Sequence, residues 1–368
     1  MLFCVRISTV FWRESFGGMV MNRLEKRMDD NIQCEKVFEF LNPNSNDMIS
    51  KMSESDLKQF ITLLNRYYLV LRDKLGFSDD ISFGLEIEFE NASRYHIDHE
   101  LYTNMRGSGY VTVCDDSLDD GGEISTPVLY NRVETWKTVS DVCGIVSKWA
   151  EIGKNSGGHI HVGAHILGND SQSWLNFMRL WSVYEYIIYR FANGEFLTSR
   201  PSMEEYASPI ARCMWLDAKK LEKKNLSLSM LLDYLSSYYG NDAVEFEHVK
   251  KHNSGEFRNG NTIEFRCPNG TLDPVIWQNN LNLFVNMLLY AKSREYDINI
   301  INKRHENSLE RYFSTDMFNK IYLDVVIEFC DMIFNNNMDK IYFLRQYLKA
   351  FQVSKDGVYK RAKTMTLK

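Results

Sequence analysis

Four short segments alternate between apolar and polar residues, and in each the polar positions hold Glu, His or Arg. In "FGLEIEFE", Glu86, Glu88 and Glu90 fall on one side and Leu85, Ile87 and Phe89 on the other, because side chains along a strand point to opposite faces in turn. In "GGEIST", Glu123 and Ser125 oppose Ile124. In "GGHIHVGAHI", His159, His161 and His165 oppose Ile160, Val162, Ala164 and Ile166. In "NTIEFRC", Glu264 and Arg266 oppose Ile263, Phe265 and Cys267. Glu is depleted in strands, so rows of acids at period two need a cause. The period predicts one sheet with an apolar face against helices and a polar face shared by all four segments.

That polar face points to cation and phosphate chemistry. Converging carboxylates repel one another unless a cation neutralises them. Oxygen donors suit Mg²⁺, which commonly joins carboxylates to substrate phosphates, and a single imidazole among them is compatible with Mg²⁺ or Mn²⁺. An arginine beside the acids offers a fork for phosphate or carboxylate oxygens. Each segment alone has a plainer reading: a wet strand edge, two exposed imidazoles, a surface ion pair. Their recurrence in one chain carries the argument.

The rest of the 368 residues frames this sheet. Helical periodicity is expected over residues 54–75, with Ser53 or Ser55 as cap and Gly76 as stop. Further helices are expected over 131–152, 171–192, 226–239 and from Pro274, and the remainder from about Asn307 is expected to be helical. Strands come singly or in pairs without regular βαβ alternation, which predicts an α+β fold with a mostly antiparallel sheet. Three parts are expected: an accessory or poorly ordered segment 1–53, a catalytic domain 54–295, and a helical extension 296–368 with a basic tail. The first 20 residues read as an over-extended start rather than a signal peptide, since Arg6 interrupts the apolar run.

Composition excludes some roles. A net charge of −6 leaves no broad basic footprint, so nucleic acid is not the expected partner. No apolar run reaches membrane-spanning length. Seven scattered cysteines without a CxxC pair read as free thiols in a reducing cytoplasm. The oligomeric state is not encoded in any motif.

The ordered set "GLEIEFE", "DDSLDDGGEISTP", "GGHIHVG" and "TIEFRCPNGT", within residues 83–292, resembles the amidoligase family. That family is related to glutamine synthetase and glutamate–cysteine ligase, the carboxylate–amine ligases. The resemblance implies a curved antiparallel sheet with helices on its convex side, as in the catalytic domain of glutamine synthetase. It also implies ATP with two or three Mg²⁺ in the concavity. A carboxylate would be phosphorylated and an amine would attack the acyl phosphate. The substrates would be small molecules or peptides.

By motif, Glu86, Glu88, Glu123, His159 and Glu264 would hold metal, with His159 and Arg266 also contacting ATP. Arg266 would stabilise charge on the transferred phosphoryl group, and His161 would touch substrate or support the metal site. Asp116 matches an Asp-x-Ser turn and would position or deprotonate the amine, with a plain turn role as the alternative. The stretch "SRPSMEEYASPIAR" resembles a substrate loop, giving Arg200 and Tyr206 for substrate and Arg212 for substrate or phosphate. Glu90 lies past the motif and is expected to be solvated or to support the ligands from behind. A metal-dependent hydrolase built on His159 and His161, or a non-catalytic nucleotide-binding module, are the competing readings.

Overall fold

The computed structural model describes residues 35–193, 203–249, 260–308 and 322–349. The expectations for residues 1–20, for Arg200 and for the basic tail lie outside these residues. Among the described residues no helix is long and apolar enough to cross a membrane. The described cysteines Cys114, Cys143, Cys213, Cys267 and Cys330 form no disulfide.

The fold is α+β, built on an open antiparallel sheet. Its strands are β1 (Ser82–Phe89), β2 (Val111–Val113), β3 (Gly122–Ser125), β4 (Leu129–Tyr130), β5 (Gly158–Gly163), β6 (Val244–Glu245) and β7 (Thr262–Phe265). They lie in the order β2-β3-β1-β5-β7-β6, with β4 also paired to β1. Among the described residues its longer helices are α1 (Glu54–Leu64), α2 (Arg94–Asn104), α3 (Val133–Trp149), α4 (Ser171–Asn193), α5 (Ala211–Lys224), α6 (Leu228–Tyr238), α7 (Pro274–Lys292), α8 (Ile298–Ser308), α9 (Leu323–Ile333) and α10 (Asn337–Lys349).

Local chemistry sets several helix starts. Ser53 caps α1 by accepting from Asp56 N, and Ser227 does the same for α6 from Met230 N. Asp273 caps α7 by accepting from Val275 N, with Pro274 at the first position, where its missing N–H leaves no bond unmade.

The apolar sheet face is covered by α3, α4 and α7. Phe265 of β7 stacks on Phe284 of α7 at 4.1 Å and meets Phe177 and Trp181 of α4 at 6.1 and 5.8 Å. Phe83 of β1 stacks on Trp136 of α3 at 5.4 Å. Ile87, Ile124, Ile160 and Ile263 are fully buried. Such aromatic burial is the largest apolar contribution a sheet of this size can draw on.

Three expectations need correction. The helix expected over 54–75 stops at Leu64, and residues 67–75 form neither helix nor strand. Side chains from elsewhere satisfy their backbone: Arg345 Nε donates to Tyr67 O, Tyr342 Oη to Val70 O, and Gln278 Nε2 to Arg72 O. Long-range partners outcompete the i→i−4 ladder that periodicity predicted. Gly76 is therefore no helix stop; a Cβ there would lie 2.9 Å from Asp339 Oδ2. Two helices, α2 and α5, were not anticipated.

The third concerns Glu90, expected to be solvated or to support the ligands from behind: it is 2 % exposed, which excludes the first. Its backbone bridges Glu151 in both directions, and its carboxylate accepts from Asp119 N at 3.4 Å, pinning the acidic turn between β2 and β3. A Cβ on Gly153 would fall 1.0 Å from Glu90 Oε2. Gly153→Ala is accordingly expected to cost about 1–3 kcal/mol by overpacking, read as a drop in thermal midpoint. An unchanged midpoint would remove this account of Glu90.

Candidate active site

The register gathers the polar positions on one face. Glu86 lies opposite His159 on β5 and Ser125 on β3. Glu88 lies opposite Glu123, and His161 opposite Glu264. Glu245 of β6 lies opposite Glu264. Directly opposed residues in antiparallel strands share a face, so these side chains form one surface.

At its centre is His159. Its Nδ1 lies 2.8 Å from Glu86 Oε2 and 3.4 Å from Glu264 Oε1, and its Nε2 lies 3.3 Å from Glu88 Oε1. His161 Nε2 lies 2.9 Å from Glu86 Oε1. Gly157 N donates to Glu88 Oε2. Arg266 Nη1 lies 2.6 Å from Glu264 Oε1 and 3.5 Å from Glu245 Oε2. Its Nε donates to Tyr206 O at 2.9 Å, tying Arg266 to the helical turn Met203–Tyr206.

The acids hold unequal protons. Burial opposes the charge on Glu86, yet the hydrogen bonds from His159 and His161 hold its carboxyl far below the usual range. Burial likewise opposes the charge on His161, yet Glu86 and Glu264 raise that imidazole above its ordinary value. Glu123 has no such partner: burial, with Glu86 and Glu88 nearby, pushes it up to about 7. Burial and Glu264 also raise Glu245. Crowded acids whose protonation is displaced in this way are what an absent cation would relieve.

The donor set fits divalent cations. Glu86, His159 and Glu264 form one group of potential ligands; Glu245, His248 and Glu264 form a second; Glu88, Asp115 and Glu123 form a third. Within each, the donor atoms lie within 4.8 Å of one another. His159 Nε2 is buried without a hydrogen-bond partner, as a nitrogen meant for a metal would be. Carboxylate-rich groups with one imidazole match hard cations better than zinc.

Of the remaining expected residues, Asp116 is exposed, and its neighbour Asp115 is the one that joins Glu88 and Glu123. Asp115 Oδ1 accepts from Ser117 N at 2.8 Å, a tight turn that fixes which aspartate faces inward. Tyr206 is half-buried, and Glu205 followed by Asp115 raises its phenol above the ordinary value. Arg212 lies exposed on the first turn of α5. His165 leaves the shared face, because β5 ends at Gly163 and Ala164–Ile166 form a 3-10 turn.

Sequence reasoning missed Asp115, Glu245 and His248. In "AVEFEHV" the alternation of Val244 and Phe246 with Glu245 was the available signal for the second of these.

Beside Glu86 and His161, a cavity of about 270 Å³ opens between Gly84, Thr126, Pro127, His248 and Thr262. It adjoins the histidine end of the ligand surface, away from Asp115 and Glu123.

Residues 114–288 match the family model described as "Putative amidoligase enzyme". The match takes in Glu123, His159, Glu264 and Arg266 and supports a ligase function. Glu86 and Glu88 lie before it and join these residues through strand pairing. No curated protein matches the chain.

Proposed function

We propose that this protein is an ATP- and Mg²⁺-dependent carboxylate–amine ligase that works through an acyl phosphate. The carrying observation is the convergence of Glu86, Glu88, Glu123, His159, Glu264 and Arg266 on one sheet face. Metal-dependent hydrolases also use two cations, so what favours the ligase is Arg266, set between Glu264 and Glu245 where charge on a transferred phosphoryl group would develop.

Glu86, His159 and Glu264 would hold a cation at the phosphates, and Glu88, Asp115 and Glu123 another toward the acceptor. Bound there, Mg²⁺ supplies neutralisation and alignment of phosphate oxygens, with Mn²⁺ as an alternative. The cavity beside Glu86 and His161 is suited to the nucleotide. Arg266, held in place by Glu264 and Tyr206 O, aims its guanidinium at charge on the transferred group. The substrate carboxylate takes the γ-phosphoryl group and ADP departs. The amine then attacks the acyl carbon, loses a proton, and phosphate leaves as the amide forms. His161, Asp116, Tyr206, Arg212 and Arg200 would be the substrate contacts. Small-molecule or peptide substrates in a cytoplasmic setting suit this chemistry.

The test is ADP release from ATP across a panel of carboxylates and amines, with and without Mg²⁺. Release that needs both substrates and the metal is expected. Activity on a substrate without nucleotide, with zinc retained through purification, would replace this reading by the hydrolase.

A further inference from the structure

The site face carries one anomaly. β1, β3, β5, β6 and β7 all present polar residues there, but β2 presents valines. Val113 lies opposite Glu123 and Val111 opposite Ser125, so both share the site face. They are 40 % and 53 % exposed. Thr112, between them, lies opposite Ile124 on the core face, where its Oγ1 is buried without a hydrogen-bond partner. The pattern is inverted: apolar toward solvent and polar toward the core, against the rule the other strands follow.

The ledge is continuous with the Glu88, Asp115 and Glu123 group. Val113 is the cross-strand neighbour of Glu123, and Asp115 is two residues further along the chain. The rim beyond is acidic, with Asp116, Asp119 and Asp120 in the turn. Two cations stand near this rim: Lys154 pairs with Asp119 at 3.7 Å across two exposed side chains, which screens little, and Arg94 Nη1 donates to Cys114 Sγ at 2.8 Å, between Val113 and Asp115. Three ligand carboxylates and this rim remain net negative even with one divalent cation among them. Such a corner repels a second carboxylate and attracts an ammonium group.

Resting on the ligase reading, we infer that Val111 and Val113 form the specificity ledge for the amine substrate, and that this substrate is a primary amine whose adjacent carbon bears a branched aliphatic or aromatic group. The ammonium end faces Glu123 and Asp115, and the apolar group covers the two valines.

The test compares the full-length protein with the double variant Val111→Thr, Val113→Thr, which keeps the β-branched shape and exchanges one methyl of each valine for a hydroxyl. Binding of leucinamide, phenylalaninamide and glycinamide is measured by calorimetry with Mg²⁺ present, with hexanoate as the carboxylate control. The unaltered protein is expected to bind leucinamide about tenfold tighter than glycinamide. The variant is expected to lose most of that ratio at an unchanged thermal midpoint and unchanged ATP affinity. Equal binding of the two amides, failure of both to bind, a preference that survives in the variant, or tighter binding of hexanoate would each overturn the inference. ADP release is followed in parallel and separates the two claims. A leucinamide preference without nucleotide turnover leaves the ledge and removes the ligase; turnover indifferent to the apolar group does the reverse.

Discussion

Glu86→Gln is expected to lower amine-dependent ADP release by about 10³-fold in a protein that still folds. Glu86 accepts from both histidines and faces Glu264 across His159, so its charge is shared by every ligand at the phosphate end. Glutamine keeps the size and can still accept one of these bonds, but it removes the anion that orients His159 and would bind the cation. The two histidines hold the Glu86 carboxyl low, so its charge favours the folded state, and its loss should lower the thermal midpoint without unfolding the protein. Mn²⁺ binding followed by electron paramagnetic resonance should weaken in step with turnover. A variant that binds Mn²⁺ and turns over normally would remove Glu86 from the site.

Glu185→Gln should alter stability in a pH-dependent way. Glu185 is buried on α4 and accepts from Trp181 Nε1 at 2.8 Å, Ile210 N at 2.8 Å and Ala211 N at 2.9 Å. It thereby caps α5 from below and anchors the chain that leads from Tyr206. Burial outweighs these donors and pushes its carboxyl up to about 7 from 4.5. The sign follows. The folded state binds the proton more tightly than the unfolded chain, so the group's contribution is full below about 4.5 and is lost as pH rises through about 7. That loss amounts to about 3 kcal/mol, at about 1.4 kcal/mol per pH unit. Denaturant midpoints at pH 5 and pH 8 should therefore differ more in the unaltered protein than in Glu185→Gln. The variant should be the less stable of the two at pH 5, where one donor loses its acceptor at a cost of about 1–3 kcal/mol. Parallel pH profiles would show that Glu185 does not titrate in this range.

Much of this site was legible because a strand encodes its faces at period two. Glu86, Glu88, Glu123, His159, His161 and Glu264 could be assigned to one surface before any pairing was known. The pairing adds register: it sets Glu88 beside Glu123 and Glu86 beside His159. Features set by turns or distant partners were not legible. Asp115 and Asp116 are adjacent in sequence, and a hydrogen bond to Ser117 N decides between them. Glu245 alternates with Val244 and Phe246, but its strand spans two residues and the period does not say that it pairs beside Glu264. Residues 67–75 have helical spacing, but the carbonyls of Tyr67, Val70 and Arg72 are held by residues more than 200 positions away.

Residues 67–75 bear on what counts as the unit of function. They deliver the chain to β1, and thus to Glu86 and Glu88. Their backbone is held by Gln278 of α7 and by Tyr342 and Arg345 of α10, while Arg72 pairs with Asp339 of α10 at 2.5 Å. The first two ligands therefore hang from the far end of the polypeptide. Residues 114–288 hold the family likeness but contain neither β1 nor the helix that suspends it. Heredity and mechanics draw different borders on this molecule, and the mechanical one runs at least to α10.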